Sequence, residues 1–212
     1  MNIEILLLIV ANFIATQKGL SDNSFFNKYK FQVGAIQQGE KYRMFSSAFL
    51  HVDWTHFIFN MITLYFFGPV VIAFLGKVSF IIIYLVSIFL GSYISLLVNK
   101  KNKYYSAVGA SGAIVGVLYA AILMNPYSKI YLFFFLGLPA YLFGILYLGY
   151  SIYGMKKQND NIGHSAHFGG AIGGYLSIVL LNFSSLLYHY EIALLLLIPI
   201  LYFFYLVNKN KI

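Results

Sequence analysis

The chain has 212 residues, of which 60% are hydrophobic and only 9% are charged. Soluble domains carry roughly 25% charged residues, so the composition excludes a water-soluble globular domain. The 14 Lys and Arg against 6 Asp and Glu give a net charge of +8; in a chain this apolar the surplus falls on few exposed positions, and no nucleic-acid partner is expected. With no cysteine in the sequence, disulfide frameworks, cysteine nucleophiles and thiolate metal sites are excluded as well.

Taken in order, seven apolar stretches predict membrane spans at about 3–16, 56–75, 78–98, 108–124, 130–153, 164–181 and 186–207, each bounded by short polar or charged breaks. The first is short and contains Glu4 and Asn12, but it lacks the basic start and small-residue cleavage site of a secretory signal and is read as a retained helix. Backbone groups cannot stay unpaired in hydrocarbon, and no ten-residue alternating segments indicate a barrel, so the spans are expected to be helices. The fold class is therefore an all-α, polytopic, multi-pass membrane helix bundle, read as one domain over 1–212 with a core at about 3–183. The long first loop mixes Phe25, Phe26, Tyr29, Phe31 and Val33 with lysines and is expected to lie on the membrane interface.

Alternating spans place the first, third and fifth loops and the C-terminal tail on one side, where unusual polar residues collect. His56 and Asn60 are one turn apart on one face of the second span. Ser111 opens the fourth span within Gly109-Ala110-Ser111-Gly112, and His167 lies in the first turn of the sixth. At about 1.5 Å per residue, Ser111 to Met124 covers about 20 Å of a core roughly 30 Å thick, which sinks the serine about 10 Å below the surface. Polar groups at that depth call for a wet indentation. Taken singly, the serine reads as helix-packing glue, the histidine as an interfacial residue and the asparagine as an interhelical hydrogen-bonder; their shared leaflet and depth favour a site. Gly170 and Gly174, like Gly112 and Gly116, are four apart; pairing of those two faces brings Ser111 and His167 within hydrogen-bond reach.

Tyr42-Arg43, Ser46-Ser47-Ala48-Phe49-Leu50-His51, His56-x-x-x-Asn60, Gly109-Ala110-Ser111-Gly112 and Ala166-His167-x-x-Gly170-x-x-x-Gly174, in that order, resemble the rhomboid family of intramembrane serine proteases over roughly residues 40–175. The resemblance implies a six-helix core, with the stretch at about 186–207 an added seventh span. It implies Ser111 as nucleophile and His167 as general base, with His56, Asn60 and the Ser111 amide as oxyanion donors, no cofactor and no metal. It also implies that Arg43 and His51 organise the first loop. Many rhomboids carry Tyr or Phe four residues after the serine; here Val115 stands in that place, with Tyr119 one turn further.

A serine hydroxyl needs a base that returns its proton to the leaving amine, and imidazole suits both steps. The six acids are Glu4, Asp22, Glu40, Asp53, Asp160 and Glu191; none is in a span beside His167, so a dyad is expected in place of a triad. The expected activity is cleavage of single-span or membrane-tethered proteins within the bilayer. Two other readings compete with it: a non-catalytic rhomboid-like binder of membrane helices, with Val115 in its favour, and a small transporter, against which the halves show no inverted repeat. A zinc site from His51, His56, His164 and His167 lacks the usual carboxylate or third well-placed imidazole.

Of the 14 basic residues only Lys77 and Lys129 fall opposite the serine side, giving a one-sided collar suited to anionic head groups. A bacterial cell membrane is the expected location. The charge rule puts the collar in the cytoplasm, whereas bacterial rhomboids open their site outward, so the orientation stays open.

Overall fold

The computed structural model describes residues 2–132, 135–157, 162–209 and 211–212, with Leu132 through its backbone only. Helix α1 (Ile3–Ser21) crosses first. A structured first loop follows, made of α2 (Asn23–Tyr29), β1 (Phe31–Gln32), α3 (Val33–Gln37), α4 (Arg43–Ser46) and a 3-10 turn at Ser47–Phe49. Helix α5 (Trp54–Val98) is two arms, 54–75 and 77–98, reversed at Gly76, whose φ of 80° suits glycine. Then come β2 (Ser106–Ala107), α6 (Ser111–Met124), β3 (Lys129–Leu132), β4 (Leu136–Pro139), α7 (Ala140–Lys157), α8 (His164–Leu181), α9 (Phe183–Tyr188) and α10 (Tyr190–Asn208). Counting the two arms of α5 separately, seven helical segments of 14 residues or more form an all-α multi-pass bundle among the described residues. Leu180, Val78 and Phe66, 83%, 74% and 64% exposed, are apolar side chains on its outer face, the surface a hydrocarbon solvent requires.

Contacts between loops fix which ends lie together. Lys77 at the α5 reversal pairs with Glu4 of α1 at 3.0 Å, and Tyr127 meets His189 edge to face at 5.7 Å. At the opposite ends β1 pairs antiparallel with β2, Phe31 against Ala107, and Gln37 Nε2 donates to the Lys100 carbonyl. The first and third loops are thus one assembly on the side where the basic residues collect.

Three boundaries differ from the sequence reading. In place of helix, Lys129–Leu132 and Leu136–Pro139 pair as antiparallel strands, Lys129 opposite Pro139 and Leu132 opposite Leu136, because Gly137 and Pro139 disfavour helix there and Pro139 is compatible with a start at Ala140. The seventh span divides into α9 and α10 at His189. In the first loop, Phe31 and Val33 turn away from the interface and form a small core with Ile36 and Met44.

The centre is a sandwich of α5, α6 and α8 at backbone contact. A Cβ on Gly170 would overlap the Gly112 carbonyl, and one on Gly174 the Gly116 carbonyl. On the neighbouring face of α8, a Cβ on Gly169 would overlap the Leu90 carbonyl, and one on Gly173 would stand 2.8 Å from the Ser87 Cα. Glycine is what lets these helices approach so closely, and in lipid such packing replaces the hydrophobic effect as the force between helices. Phe203 of α10 stacks on Phe168 at 4.2 Å, so the last helix covers the back of α8.

Gly170→Val is expected to lower unfolding stability in detergent by about 2 kcal/mol or more, an overpacking cost taken against backbone that cannot yield. Gly149→Ala, where a Cβ meets nothing within 4 Å, should match or slightly exceed wild type in the same denaturant titration.

Candidate functional site

Ser111 is the first residue of α6, after a non-helical approach held at both ends. Gly109 N–H donates to the Ser47 carbonyl at 3.0 Å, and Ala110 N–H donates to His51 Nε2 at 3.5 Å. Gly109 has φ +128°, open to glycine at little cost. A Cβ there would stand 2.6 Å from Cε1 and 2.9 Å from Nε2 of His56, and 3.7 Å from Ser111 Oγ. The bare glycine is what allows the His56 ring to lie beside the serine.

His167, in the first turn of α8, brings Nε2 to 2.7 Å from Ser111 Oγ. The glycine contacts between α6 and α8 set this distance, since Gly112–Gly170 and Gly116–Gly174 lie directly below the pair. Asn60 is buried on α5, its Nδ2 having no hydrogen-bond partner. Ser111, His167, His56 and Asn60 all line one cavity of about 950 Å³, together with Thr63 and Tyr147. An unpaired buried amide donor costs free energy unless something in the cavity accepts from it. The first-turn N–H groups of α6, which no helix satisfies internally, add positive potential at the serine.

On its other nitrogen, His167 Nδ1 meets the Tyr147 hydroxyl at 2.9 Å, and the two rings stack at 5.9 Å and 29°. Tyr119, the other ring near the serine helix, donates its hydroxyl to the Gly144 carbonyl of α7. Tyr147 was not singled out in the sequence. Val115 hinted that the ring had to come from another span, but Tyr141, Tyr147, Tyr150 and Tyr153 all lie in the same helix and spacing alone does not choose among them.

The acids are employed elsewhere among the described residues. Glu4 pairs with Lys77; Asp22 caps α2 and pairs with Lys18 at 2.9 Å; Asp53 caps α5, accepting from His56 N–H at 2.7 Å; Glu191 lies in the first turn of α10. Asp160 lies outside the described residues. Glu40 holds Arg43, 2.8 Å from its Nη2, and hydrogen bonds from Tyr42 and Arg43 keep its carboxyl below the usual range. Buried Arg43 also donates to the carbonyls of Asn27 at 2.7 Å and Lys30 at 3.0 Å, tying the end of α2 to α4. No group of three or more metal-ligating side chains occurs among the described residues. His164 packs instead between helices, filling the space that Gly154 leaves open.

His51 is fully buried, with Nδ1 2.8 Å from Thr16 Oγ1. Because Nε2 accepts from Ala110, Nδ1 carries the proton and donates to Thr16, whose hydroxyl donates on to the Phe49 carbonyl at 3.3 Å. Burial first, then the neighbouring His56 charge, pull its pKa down to about 3, so it stays neutral at physiological pH.

Residues 38–184 match the family model for the rhomboid domain, and the chain belongs to the rhomboid family. RHOMBOID-like protein 12, mitochondrial, of Arabidopsis thaliana is 31% identical over 163 residues, 68% of this chain and 48% of that protein. Rhomboid protease GluP of Bacillus subtilis is 31% identical over 147 residues, 69% of this chain and 27% of that protein. Rhomboid protein 1, mitochondrial, of Saccharomyces cerevisiae is 31% identical over 141 residues, covering 64% and 40%. The chain therefore spans half or less of the length of these three relatives. Family and helices together make it an integral, multi-pass membrane protein. The relatives divide between organelles and a bacterium, so the expected bacterial cell membrane is not selected by them.

The neutral state of His51 sets a pH dependence. Its folded pKa lies below the ordinary 6.5, so its contribution is fully present above pH 6.5 and is lost as pH falls toward 3, at no more than about 1.4 kcal/mol per pH unit. Denaturant titration in detergent should show about 2 kcal/mol less stability at pH 5 than at pH 7.5 from this group. His51→Gln, less stable at neutral pH, should show a correspondingly shallower pH slope.

Proposed function

We propose that this rhomboid-family chain is an active intramembrane serine endopeptidase that cleaves single-span or membrane-tethered proteins with a Ser111–His167 dyad. The observation that carries the reading is the 2.7 Å contact between His167 Nε2 and Ser111 Oγ at the wall of a cavity that also holds Asn60 and His56. In this mechanism Nε2 takes the hydroxyl proton as Oγ attacks the scissile carbonyl carbon. The carbonyl oxygen becomes an oxyanion, held by Asn60 Nδ2, a His56 ring N–H and the Ser111 amide. Collapse breaks the C–N bond, and His167 gives the proton to the departing amine, leaving an ester on Ser111. A water from the cavity then attacks the ester, losing its proton to His167, which returns it to Oγ as the acid leaves.

The proposal includes a single domain over 1–212, a core at about 3–183 and the added span at about 186–207; the family match ends at 184. Gly109, Gly112, Gly170 and Gly174 serve as close-packing positions, and Arg43 and His51 hold the first loop and the serine approach. The non-catalytic reading drew on Val115 alone; the Tyr147 ring against the imidazole supports the catalytic reading over it. The Bacillus subtilis relative favours a bacterial cell membrane, the mitochondrial ones an organelle, and anionic head groups suit the basic collar in either.

Fluorophosphonate labelling and cleavage of a single-span model protein test the activity. Ser111→Ala and His167→Ala should abolish both, while His56→Ala and Asn60→Ala should each lower kcat by about 10²–10³. Chelator treatment should change neither. Labelling that persists in Ser111→Ala sinks the assignment.

Orientation is read separately. In this cysteine-free chain, Asn102→Cys should react with an impermeant maleimide only from the side that carries the cavity. Labelling of intact cells would put the site outside, and labelling only after the opposite face is opened would put it inside.

A further inference from the structure

We infer that Tyr147 is the positioning residue for His167, supplying from α7 both the ring that sets the plane of the imidazole and the oxygen that receives its Nδ1 proton. This inference rests on the protease reading above. The two contacts are separate in kind: the stack at 5.9 Å and 29° restrains rotation about the ring axis, and the hydroxyl 2.9 Å from Nδ1 addresses the nitrogen that does not face the serine.

The chemistry requires such a partner. For Nε2 to accept the serine proton its lone pair must point at Oγ, so in the neutral ring the proton resides on Nδ1. When the proton arrives from Ser111, both nitrogens become donors and the ring carries a charge. In serine hydrolases with a full triad, a carboxylate receives the Nδ1–H and stabilises that charge. Here Glu4, Asp22, Glu40 and Asp53 hold other partners, Glu191 lies in the first turn of α10 and Asp160 lies outside the described residues; the 2.9 Å contact places a phenol on Nδ1. A phenol oxygen accepts without bringing a charge into the bilayer, where an ionised carboxylate is costly.

Tyr147 is itself held. Phe143, one turn earlier, stacks on it at 5.8 Å and 23°, so Phe143, Tyr147 and His167 form a run of three nearly parallel rings. Helix α7 is anchored to the serine helix by the Tyr119 hydroxyl on the Gly144 carbonyl. A Cβ on Gly144 would stand 3.1 Å from Ile122 of α6 and from Leu196 of α10. The ring that orients the base therefore depends on the seating of a helix that contributes neither Ser111 nor His167. It also replaces what position 115 cannot supply, since valine has no ring to stack.

The test uses the full chain in lipid with a single-span model substrate. Tyr147→Phe keeps the ring and removes only the oxygen: kcat should fall about 10- to 100-fold, the effect of leaving a buried, charged donor without its acceptor, with KM within about two-fold of wild type. Tyr147→Ala, losing the ring as well, should fall further. Tyr153→Phe, at an exposed position of the same helix, should match wild type. In ¹⁵N-histidine-labelled protein the Nδ1 resonance of His167, identified by its loss in His167→Ala, should move in Tyr147→Phe and stay in Tyr153→Phe.

Equal kcat in wild type and Tyr147→Phe, or an unmoved Nδ1 resonance, overturns the positioning role while leaving the protease reading intact. A wild-type chain with no Ser111-dependent fluorophosphonate labelling overturns the protease reading, and the positioning role with it.

Discussion

The geometry of the site depends on one constraint: α8 must touch the backbones of α5 and α6 at once. Two adjacent faces of α8 are stripped to glycine, Gly170 and Gly174 toward α6 and Gly169 and Gly173 toward α5. In water, burial of larger side chains would drive such an assembly; among lipid tails that force is absent, and close van der Waals contact takes its place. The same contact fixes chemistry. A helix pair separated by ordinary side chains sits at 8–10 Å between axes, whereas the glycine pairs bring α6 and α8 closer and leave His167 and Ser111, one turn above them, at hydrogen-bond distance. Packing and site geometry are therefore a single feature of the fold.

The first loop is a second, independent support. Arg43 gathers Glu40 and the carbonyls of Asn27 and Lys30, which closes the loop on itself. Ser47 and His51 reach out of it to the N–H groups of Gly109 and Ala110. Because His51 also bonds Thr16 of α1, the segment just before Ser111 is tied to the first helix through two hydrogen bonds and one buried ring. A neutral imidazole suits this place, since it both donates and accepts; protonation of Nε2 would keep the donor to Thr16 but abolish the acceptor for the Ala110 N–H.

The architecture was readable because hydrocarbon imposes one rule on every span, and the runs of apolar residues report it directly. Where the rule relaxes, the reading failed. The stretch 130–139 is as apolar as a span, yet its described residues on either side, up to Leu132 and from Leu136, pair as strands, with Gly137 and Pro139 against helix, and hydropathy does not distinguish the two. Phe31 and Val33 looked like interfacial anchors but found partners in Ile36 and Met44, a tertiary pairing with no local signature. Ser111, His167, His56 and Asn60 were legible as a group because they share a leaflet and a depth. Tyr147 was not, since it lies on a helix with several tyrosines and its relation to His167 exists only once α7 is seated.

The charge surplus acquires a physical meaning from this arrangement. On the side opposite the cavity, Lys77 is paired with Glu4, which leaves Lys129 as that side's remaining basic residue in the sequence. On the cavity side, Asp22 and Glu40 pair with Lys18 and Arg43, while Lys28, Lys30, Lys41, Lys100, Lys101, Lys103, Lys156, Lys157, Lys209 and Lys211 are added to them. Each lysine near an anionic surface would be worth about 1 kcal/mol, so any anionic head groups would favour this face over the other. Ser111 begins a helix of only 14 residues, about 21 Å at 1.5 Å per residue against a hydrocarbon core of about 30 Å, a length that recesses the serine on the side where the basic residues collect.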